Sequence, residues 1–166
     1  CSIEDKYDAW NEYMTYGGMP FVLSIQEEIN KAAYLKNLFP QVYFRDILER
    51  YGIRRRDILD SLATVLASSV GSLTNPQKIY DTFKSNGEKE RSLNTISSYL
   101  SYLEDAFIVN RAERYDIKGR KYISTPQKYY FSDLGLRNAR LNFRQQEETH
   151  LMKNALELEM PLLSIP

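Results

Sequence analysis

Apolar side chains recur at helical spacing through most of the sequence, and this periodicity most constrains what the chain can fold into. The apolar runs stop at glycine or proline, namely at Gly17-Gly18, Pro40, Gly52 and Gly71. Glycine readily adopts the left-handed conformation that ends many helices, and proline cannot continue one. The first seventy residues are therefore predicted to be all helical. The expected helices are 5–16, 24–40, 41–51 and 55–70.

The first two helices carry further local signals. Pro20 is expected to keep the first helix from resuming after the glycine pair. Ser24 and Glu27 match the capping box, in which the two side chains satisfy free N–H groups at a helix start. The apolar positions predicted to face the core are Tyr7, Trp10, Tyr13 and Met14, then Ile25, Ile29, Ala32 and Leu35.

The pattern changes after Gly71. Asn75-Pro76 combines a favourable N-cap with proline at the first helical position, which predicts a short helix over 76–85. Ser92 is expected to cap a longer helix over 92–106. Its predicted apolar stripe is Leu93, Ile96, Leu100, Leu103 and Phe107, and its opposite, polar face is Ser92, Asn94, Thr95, Ser98 and Ser101.

Two aromatic-rich segments, 107–115 and 128–132, are predicted to pair as an antiparallel hairpin with a basic, glycine-containing tip at 116–121. Helix, short link, helix, turn, helix and hairpin is the order of a winged helix-turn-helix. The expected fold is thus mainly α with a small β-hairpin: a helical subdomain (1–53), a winged helix-turn-helix (54–133), and C-terminal helices and tail (134–166). Closing helices are expected over 134–141 and 146–158.

Composition excludes several function classes. Lys plus Arg (22) equals Asp plus Glu (22), so no net charge draws the chain to polyanions or anionic membranes. The chain has a single cysteine, Cys1, and a single histidine, His150. It therefore cannot form an intramolecular disulfide or a zinc site of several Cys and His ligands, and we expect no metal cofactor. No apolar run reaches the roughly 18 residues of a membrane span. We therefore expect a cytoplasmic protein without membrane partners, and the start at Cys1 suggests a piece of something longer.

Five short motifs occur along the chain, namely Tyr16-Gly-Gly-Met-Pro20, Tyr43-Phe-Arg-Asp-Ile47, Tyr99-Leu-Ser-Tyr-Leu-Glu-Asp-Ala-Phe-Ile108, Tyr115-Asp-Ile-Lys-Gly-Arg-Lys121 and Lys128-Tyr-Tyr-Phe-Ser-Asp-Leu-Gly-Leu-Arg-Asn138. In this order and spacing they resemble a domain of unknown function that follows the P-loop core in bacterial and archaeal AAA-type ATPases. The similarity covers roughly residues 8–150.

The resemblance implies an upstream P-loop ATPase core, which would hold ATP and Mg²⁺. This chain has no G-x-x-x-x-G-K-[ST] motif, so we expect it to be a non-catalytic, accessory segment that couples such a core to a partner through the winged helix. Members of that group also continue into a nuclease-like region, whereas this sequence departs after about Leu151. A fragment of such an enzyme is therefore an alternative. The oligomeric state is not indicated.

The main alternative, ahead of the enzyme fragment, is a DNA-binding module that uses the hairpin tip. Between Arg111 and Arg144, nine basic residues face three acidic ones. The candidate nucleic-acid-binding residues are Arg91, Asn94, Thr95, Ser98, Lys118, Arg120 and Lys121. Helix 92–106 itself contains no Lys or Arg and ends with Glu104-Asp105, which weakens phosphate binding and favours a protein-facing surface.

Four arginines are candidates for sensing a nucleotide's γ-phosphate, namely Arg45, Arg54, Arg55 and Arg56. The competing interpretation is that they form exposed local ion pairs. Asp133 follows a predicted strand, where catalytic carboxylates occur, but without a second carboxylate nearby it is expected to cap the helix that begins at Leu134. His150 is expected to have no functional role.

Overall fold

A computed structural model of the chain describes residues 3–87, 92–112, 126–144 and 148–163. Its N-terminal part is helical, as the periodicity predicts. The helices are α1 (Ile3–Tyr16), α2 (Pro20–Ser24), α3 (Glu28–Leu38), a π-helical segment (Phe39–Tyr43) and α4 (Phe44–Tyr51).

Both prolines of this part begin a helical segment instead of blocking one, so the two predictions based on them are wrong. Pro20 is the first residue of α2, and Pro40 lies in the first turn of the π-helical segment that joins α3 to α4. The first turn of a helix does not need the N–H that proline lacks. The backbone therefore stays helical from α3 through α4.

The capping box predicted at Ser24 and Glu27 is also wrong. The Ser24 hydroxyl donates a hydrogen bond to the Phe21 carbonyl (2.6 Å) at the end of α2, and α3 begins after Glu27 without a side-chain cap. Of the predicted apolar stripes, Met14 and Leu35 are buried, while Tyr7 and Trp10 are exposed and Ile29 is 75% exposed. Helical spacing identified the helices here but not every buried face.

The next three helices are α5 (Arg56–Ser68), α6 (Pro76–Ser85) and α7 (Leu93–Asp105). Both predicted caps are confirmed: the Asn75 side chain accepts a hydrogen bond from the Lys78 N–H, and Ser92 accepts one from the Thr95 N–H. Gly52 ends α4 with φ +61°, in the left-handed region that the helix stop required.

The predicted hairpin strands pair as β1 (Val109–Ala112) and β2 (Lys128–Phe131), antiparallel, with Val109 opposite Phe131. The other edge of β2 is also occupied. Gln127 forms an antiparallel bridge with Thr74, the Tyr129 carbonyl accepts from the Gly71 N–H (3.1 Å), and further along, the Phe131 backbone bonds to Asn154. The hairpin tip predicted at 116–121 lies outside the described residues.

Two C-terminal helices close the fold: α8 (Leu134–Arg140) and α9 (Glu148–Leu163). The second ends at Leu163, two residues past Pro161 and five past its predicted end at 158. The fully buried Asn138 on α8 donates to the carbonyls of Met14 and Thr15 (2.9 Å each), which fixes α8 against the end of α1. Asn154 on α9 is also fully buried and fixes that helix to β2.

One hydrophobic cluster runs through residues of all three predicted segments. It includes Leu35 and Phe44, Leu62 and Leu103, and Leu136. Within the described ranges the fold is mainly helical with a two-stranded antiparallel sheet, which confirms the predicted fold class at that level.

Candidate functional site

A groove of about 480 Å³ lies between the start of α6, one face of α7 and the face of the β1–β2 sheet. This volume is within the range of ligand-binding clefts. We call it the α7 groove. Its lining residues are Asn75, Pro76 and Gln77 from the α6 start, Leu93, Ser97, Leu100, Ser101 and Glu104 from α7, and Arg111, Gln127 and Tyr129 from the sheet side.

The apolar part of the α7 groove comes from Leu93, Leu100 and Tyr129. Leu93 is the first residue of α7 and is 38% exposed, so its predicted place in the buried stripe is wrong. The side chain lies one turn before Ser97 on the groove side, whereas Ile96 and Leu103 point into the core. A partner that bound in the groove would bury this apolar side chain, which is exposed in the single chain.

The polar part of the groove is mostly uncharged. Ser97 donates its hydroxyl to the Leu93 carbonyl (3.0 Å), and the Tyr129 hydroxyl donates to the Gln127 side-chain oxygen (3.3 Å). Glu104 and Arg111 form an ion pair at 3.5 Å, so the two charged side chains among the described lining residues neutralise each other. The groove therefore suits a neutral segment with both apolar and hydrogen-bonding groups.

Of the predicted nucleic-acid-binding residues, the three that the structure describes do not line this groove. Asn94 and Ser98 are exposed on a different face of α7, and Thr95 is hydrogen-bonded to the Ser92 cap through both its N–H (3.1 Å) and its hydroxyl (2.8 Å). Arg91, Lys118, Arg120 and Lys121 lie outside the described residues.

The basic excess between Arg111 and Arg144 is not all at the surface. Arg137 is 2% exposed and donates to the Ala67 carbonyl (3.0 Å). Arg140 bonds to the Asp60 carboxylate at 2.9 Å and lies over two core aromatic rings. These two cations hold α8 against α5, so a charge count along the sequence overestimates the charge presented to a partner.

The four candidate sensor arginines differ in their surroundings. Arg45 and Arg56 both line a depression of about 350 Å³ next to Pro40, Gln41 and Leu48, and Arg54 is exposed. Arg45 is exposed and lies 3.7 Å from the equally exposed Glu49. Arg55 instead makes two hydrogen bonds to Asp57, at 3.0 and 2.9 Å. The local ion-pair interpretation therefore holds for Arg55 with Asp57 and for Arg45 with Glu49, while Asp46 pairs with Arg50.

Asp133 caps α8, as predicted. One carboxylate oxygen accepts from the Leu136 N–H (3.0 Å) and the other accepts from the Gly18 N–H (2.9 Å), 115 residues away. Burial raises the pKa of Asp133 above its ordinary value, although these backbone hydrogen bonds act in the opposite direction. The carboxylate thus fastens the α1–α2 turn to the start of α8.

The described ranges contain neither a group of metal-ligating side chains nor a membrane-spanning helix. In 3–87, 92–112, 126–144 and 148–163, no three or more His, Cys, Asp or Glu residues are grouped so that they could hold a metal ion. Among the helices of those ranges, none combines the length and the apolar character that crossing a membrane requires.

The chain belongs to a family described as a domain of unknown function, DUF8612, which matches residues 7–147. A similar protein is an uncharacterized protein of Haemophilus influenzae, 36% identical over 151 residues, or 91% of this chain and 37% of that protein. An uncharacterized protein of Methanocaldococcus jannaschii is 27% identical over 150 residues, 90% of this chain and 33% of that protein. The chain thus spans about a third of the length of these relatives. No solved structure matches it.

Proposed function

We propose that this chain is a non-catalytic accessory segment of a larger ATP-binding protein, in which a winged helix-turn-helix docks a partner polypeptide in the α7 groove. The observation that carries the proposal is the groove itself, with its apolar floor, uncharged hydrogen-bonding groups and internally neutralised ion pair. Such a lining favours a neutral peptide segment over a phosphate backbone, which requires cations.

The order of elements supports the winged-helix part of the proposal. Helix α5 is followed by the Thr74 bridge, then α6, α7, β1 and β2. Thr74 pairs on the edge of β2 that faces away from β1, which is where the first strand of a winged-helix sheet lies. In such folds the third helix and the hairpin present the recognition surface, and here those elements border the groove.

The proposed link to an ATPase rests on the sequence resemblance together with the length of the relatives. Because the chain spans 37% and 33% of them, the remaining length is enough for a nucleotide-binding core. That core would bind ATP and Mg²⁺, and the expected setting is cytoplasmic. Arg45 and Arg56 are the arginines placed together at the surface, so they are the two we propose to approach the nucleotide.

Coupling would pass through α8. Asn138 connects α8 to the end of α1, Arg140 connects it to Asp60 on α5, and α5 packs beside α7. A force on the N-terminal helices would therefore reach the helix that borders the groove through the hydrogen bonds of α8 and the packing of α5 on α7. We propose that ATP binding elsewhere in the protein changes the position of the groove by this route.

Two binding measurements test the proposal. A fluorescent ATP analogue should bind the complete protein and should not bind this chain alone; failure of the complete protein to bind it would contradict the ATPase part. A short fluorescent DNA duplex, titrated with the chain, should show no salt-sensitive binding.

The duplex measurement also discriminates the main alternative. Binding that falls steeply between about 50 and 200 mM salt, and that disappears on charge reversal at Lys118, Arg120 and Lys121, would make the chain a DNA-binding module. Asn94→Ala and Ser98→Ala would then lower affinity as well, whereas Ser97→Ala in the groove would not.

A further inference from the structure

Phe107 follows Ala106, the C-cap of α7, and has an unusual conformation for its residue type. Its φ is +54°, in the left-handed region, and its side chain is 78% exposed. The Phe107 N–H bonds to the Glu104 carbonyl (2.9 Å) and the Ile108 N–H bonds to the Leu103 carbonyl (3.0 Å). This pair of hydrogen bonds defines the helix-ending motif in which the left-handed position is usually glycine.

Phenylalanine is unfavourable at this position for two reasons. Its Cβ strains the left-handed backbone, and its ring remains largely in water. Phe143 provides a comparison within the same chain, because its φ is +57° as well. That ring is partly buried, lies 5.8 Å from the Tyr16 ring and carries the Lys36 ammonium 5.7 Å above it. The fold thus compensates the strain at Phe143 and leaves it uncompensated at Phe107.

Phe107 stands at the rim of a second depression, of about 490 Å³, between α4 and the end of α7. Val42, which is 52% exposed, lies at the same depression, as does Tyr43. We call this the Phe107 surface. It places a protruding aromatic ring beside a cavity with apolar groups at its edge, on one side of the molecule.

The charges on the Phe107 surface are of both signs and are distributed along α4 and the end of α7. Arg50 bonds to Asp46 at 2.7 Å, Arg45 lies 3.7 Å from Glu49, and Asp105 accepts from the Tyr51 hydroxyl at 3.0 Å. A surface with two cations and three carboxylates repels neither a strongly basic nor a strongly acidic partner selectively. It is complementary in charge to a surface of the same mixed kind.

We propose that the Phe107 surface binds a second copy of this chain across a twofold axis, with each Phe107 ring inserted into the other copy's depression. A twofold interface uses the same surface on both partners, so it needs a protrusion and a cavity side by side and charges that complement themselves. The Phe107 surface meets both requirements. Burial in the partner supplies the compensation that Phe107 lacks in the single chain. This proposal does not depend on the function of the α7 groove.

Sedimentation equilibrium of the purified chain over a range of concentrations tests the proposal. The chain should dimerise, and Phe107→Gly should weaken the dimer at least about tenfold, since a buried aromatic anchor commonly carries that much affinity or more. Glycine suits the left-handed position, so the variant should stay folded, which circular dichroism checks. Val42→Glu, which places a carboxylate at the depression, should weaken the dimer too.

Ile29→Ser is the matched control, because Ile29 is 75% exposed on α3 and is not part of the Phe107 surface. It should leave the dimer unchanged. A chain that is monomeric at all concentrations would overturn the proposal. So would a dimer that Phe107→Gly does not weaken, or one that Ile29→Ser weakens equally.

Discussion

Replacing Asp133 by alanine should destabilise the chain by about 2 kcal/mol, because two contacts are lost together. The first is the N-cap of α8, a hydrogen bond to the Leu136 N–H, and such caps contribute about 1 kcal/mol. The second is the bond from the Gly18 N–H, which lies at the surface, where water partly replaces the carboxylate, so its loss costs about another 1 kcal/mol.

Asn75→Ala is the matched reference, since Asn75 caps α6 through an exposed hydrogen bond and its side chain bonds to no second group among the described residues. Its expected cost is about 1 kcal/mol. Urea unfolding of both variants measures the difference in their unfolding free energies, provided that the two variants have the same m-value. Equal destabilisation by the two variants would refute the inference that the Gly18 contact fastens the α1–α2 turn to α8.

The same carboxylate constrains Gly17. A Cβ built there would lie 2.3 Å from an Asp133 oxygen, and the φ of +76° would strain any L side chain as well. Gly17→Ala should therefore cost less stability in the Asp133→Ala background than in the wild type, because only the backbone strain remains. Additive effects in this double-mutant cycle would show that the two groups do not touch.

The pKa shift of Asp133 also predicts how the stability of the chain changes with pH. Burial raises its pKa in the folded state above the unfolded value. Its contribution to stability is therefore fully present below the unfolded pKa and is lost as pH rises through the folded pKa. The difference in unfolding free energy between wild type and Asp133→Asn should fall as pH rises across that interval. A constant difference would contradict the shift.

Two further predictions concern stability. Asn154→Ala should cost about 3 kcal/mol in urea unfolding, because it leaves a buried N–H and carbonyl of β2 unpaired, each previously bonded at 2.8 Å; a cost below about 1 kcal/mol would mean that α9 is not held this way. Phe107→Gly should raise the stability of the monomer, measured at low concentration, by about 0.5–1 kcal/mol through relief of backbone strain. Phe143→Gly should lower the stability, since the Phe143 ring packs on the fold. A rise in stability from both variants would show that backbone strain outweighs the packing of the ring.

The parts of the fold that sequence predicts correctly depend on neighbouring residues. Asn75, Ser92 and Asp133 are caps because each side chain reaches an N–H three residues later, a geometry that any helix start provides. The pairing of β1 with β2 follows from two aromatic-rich runs. Gly52 ends α4 because glycine readily adopts positive φ.

The errors arise where distant residues decide. Ile29 has a helical apolar spacing, yet it is 75% exposed, and Phe107 continues an apolar pattern past the point where the helix has ended. Arg137 appears in the sequence as one more surface cation, but its partner carbonyl at Ala67 is 70 residues away. No local pattern contains that information.

The α7 groove was missed for the same reason. Its walls come from α6, α7 and the β1–β2 sheet, and no local sequence pattern shows that Gln127 and Tyr129 lie beside α7. One sequence signal does point to the groove. Leu93 directly follows the Ser92 cap and precedes the buried Ile96 by three residues, so it lies at the edge of the buried face of α7. The polar-face prediction for α7 was correct for Asn94 and Ser98, which are exposed.

A photo-crosslinking amino acid placed at Ser97 or at Ser98 of the complete protein, expressed in cells, tests the central claim most directly. The two positions are adjacent, but Ser97 lines the α7 groove and Ser98 does not. We predict a protein adduct from position 97 whose yield changes when ATP binding is abolished, and none from position 98. DNA adducts from position 98, or no adduct from position 97, would contradict the account.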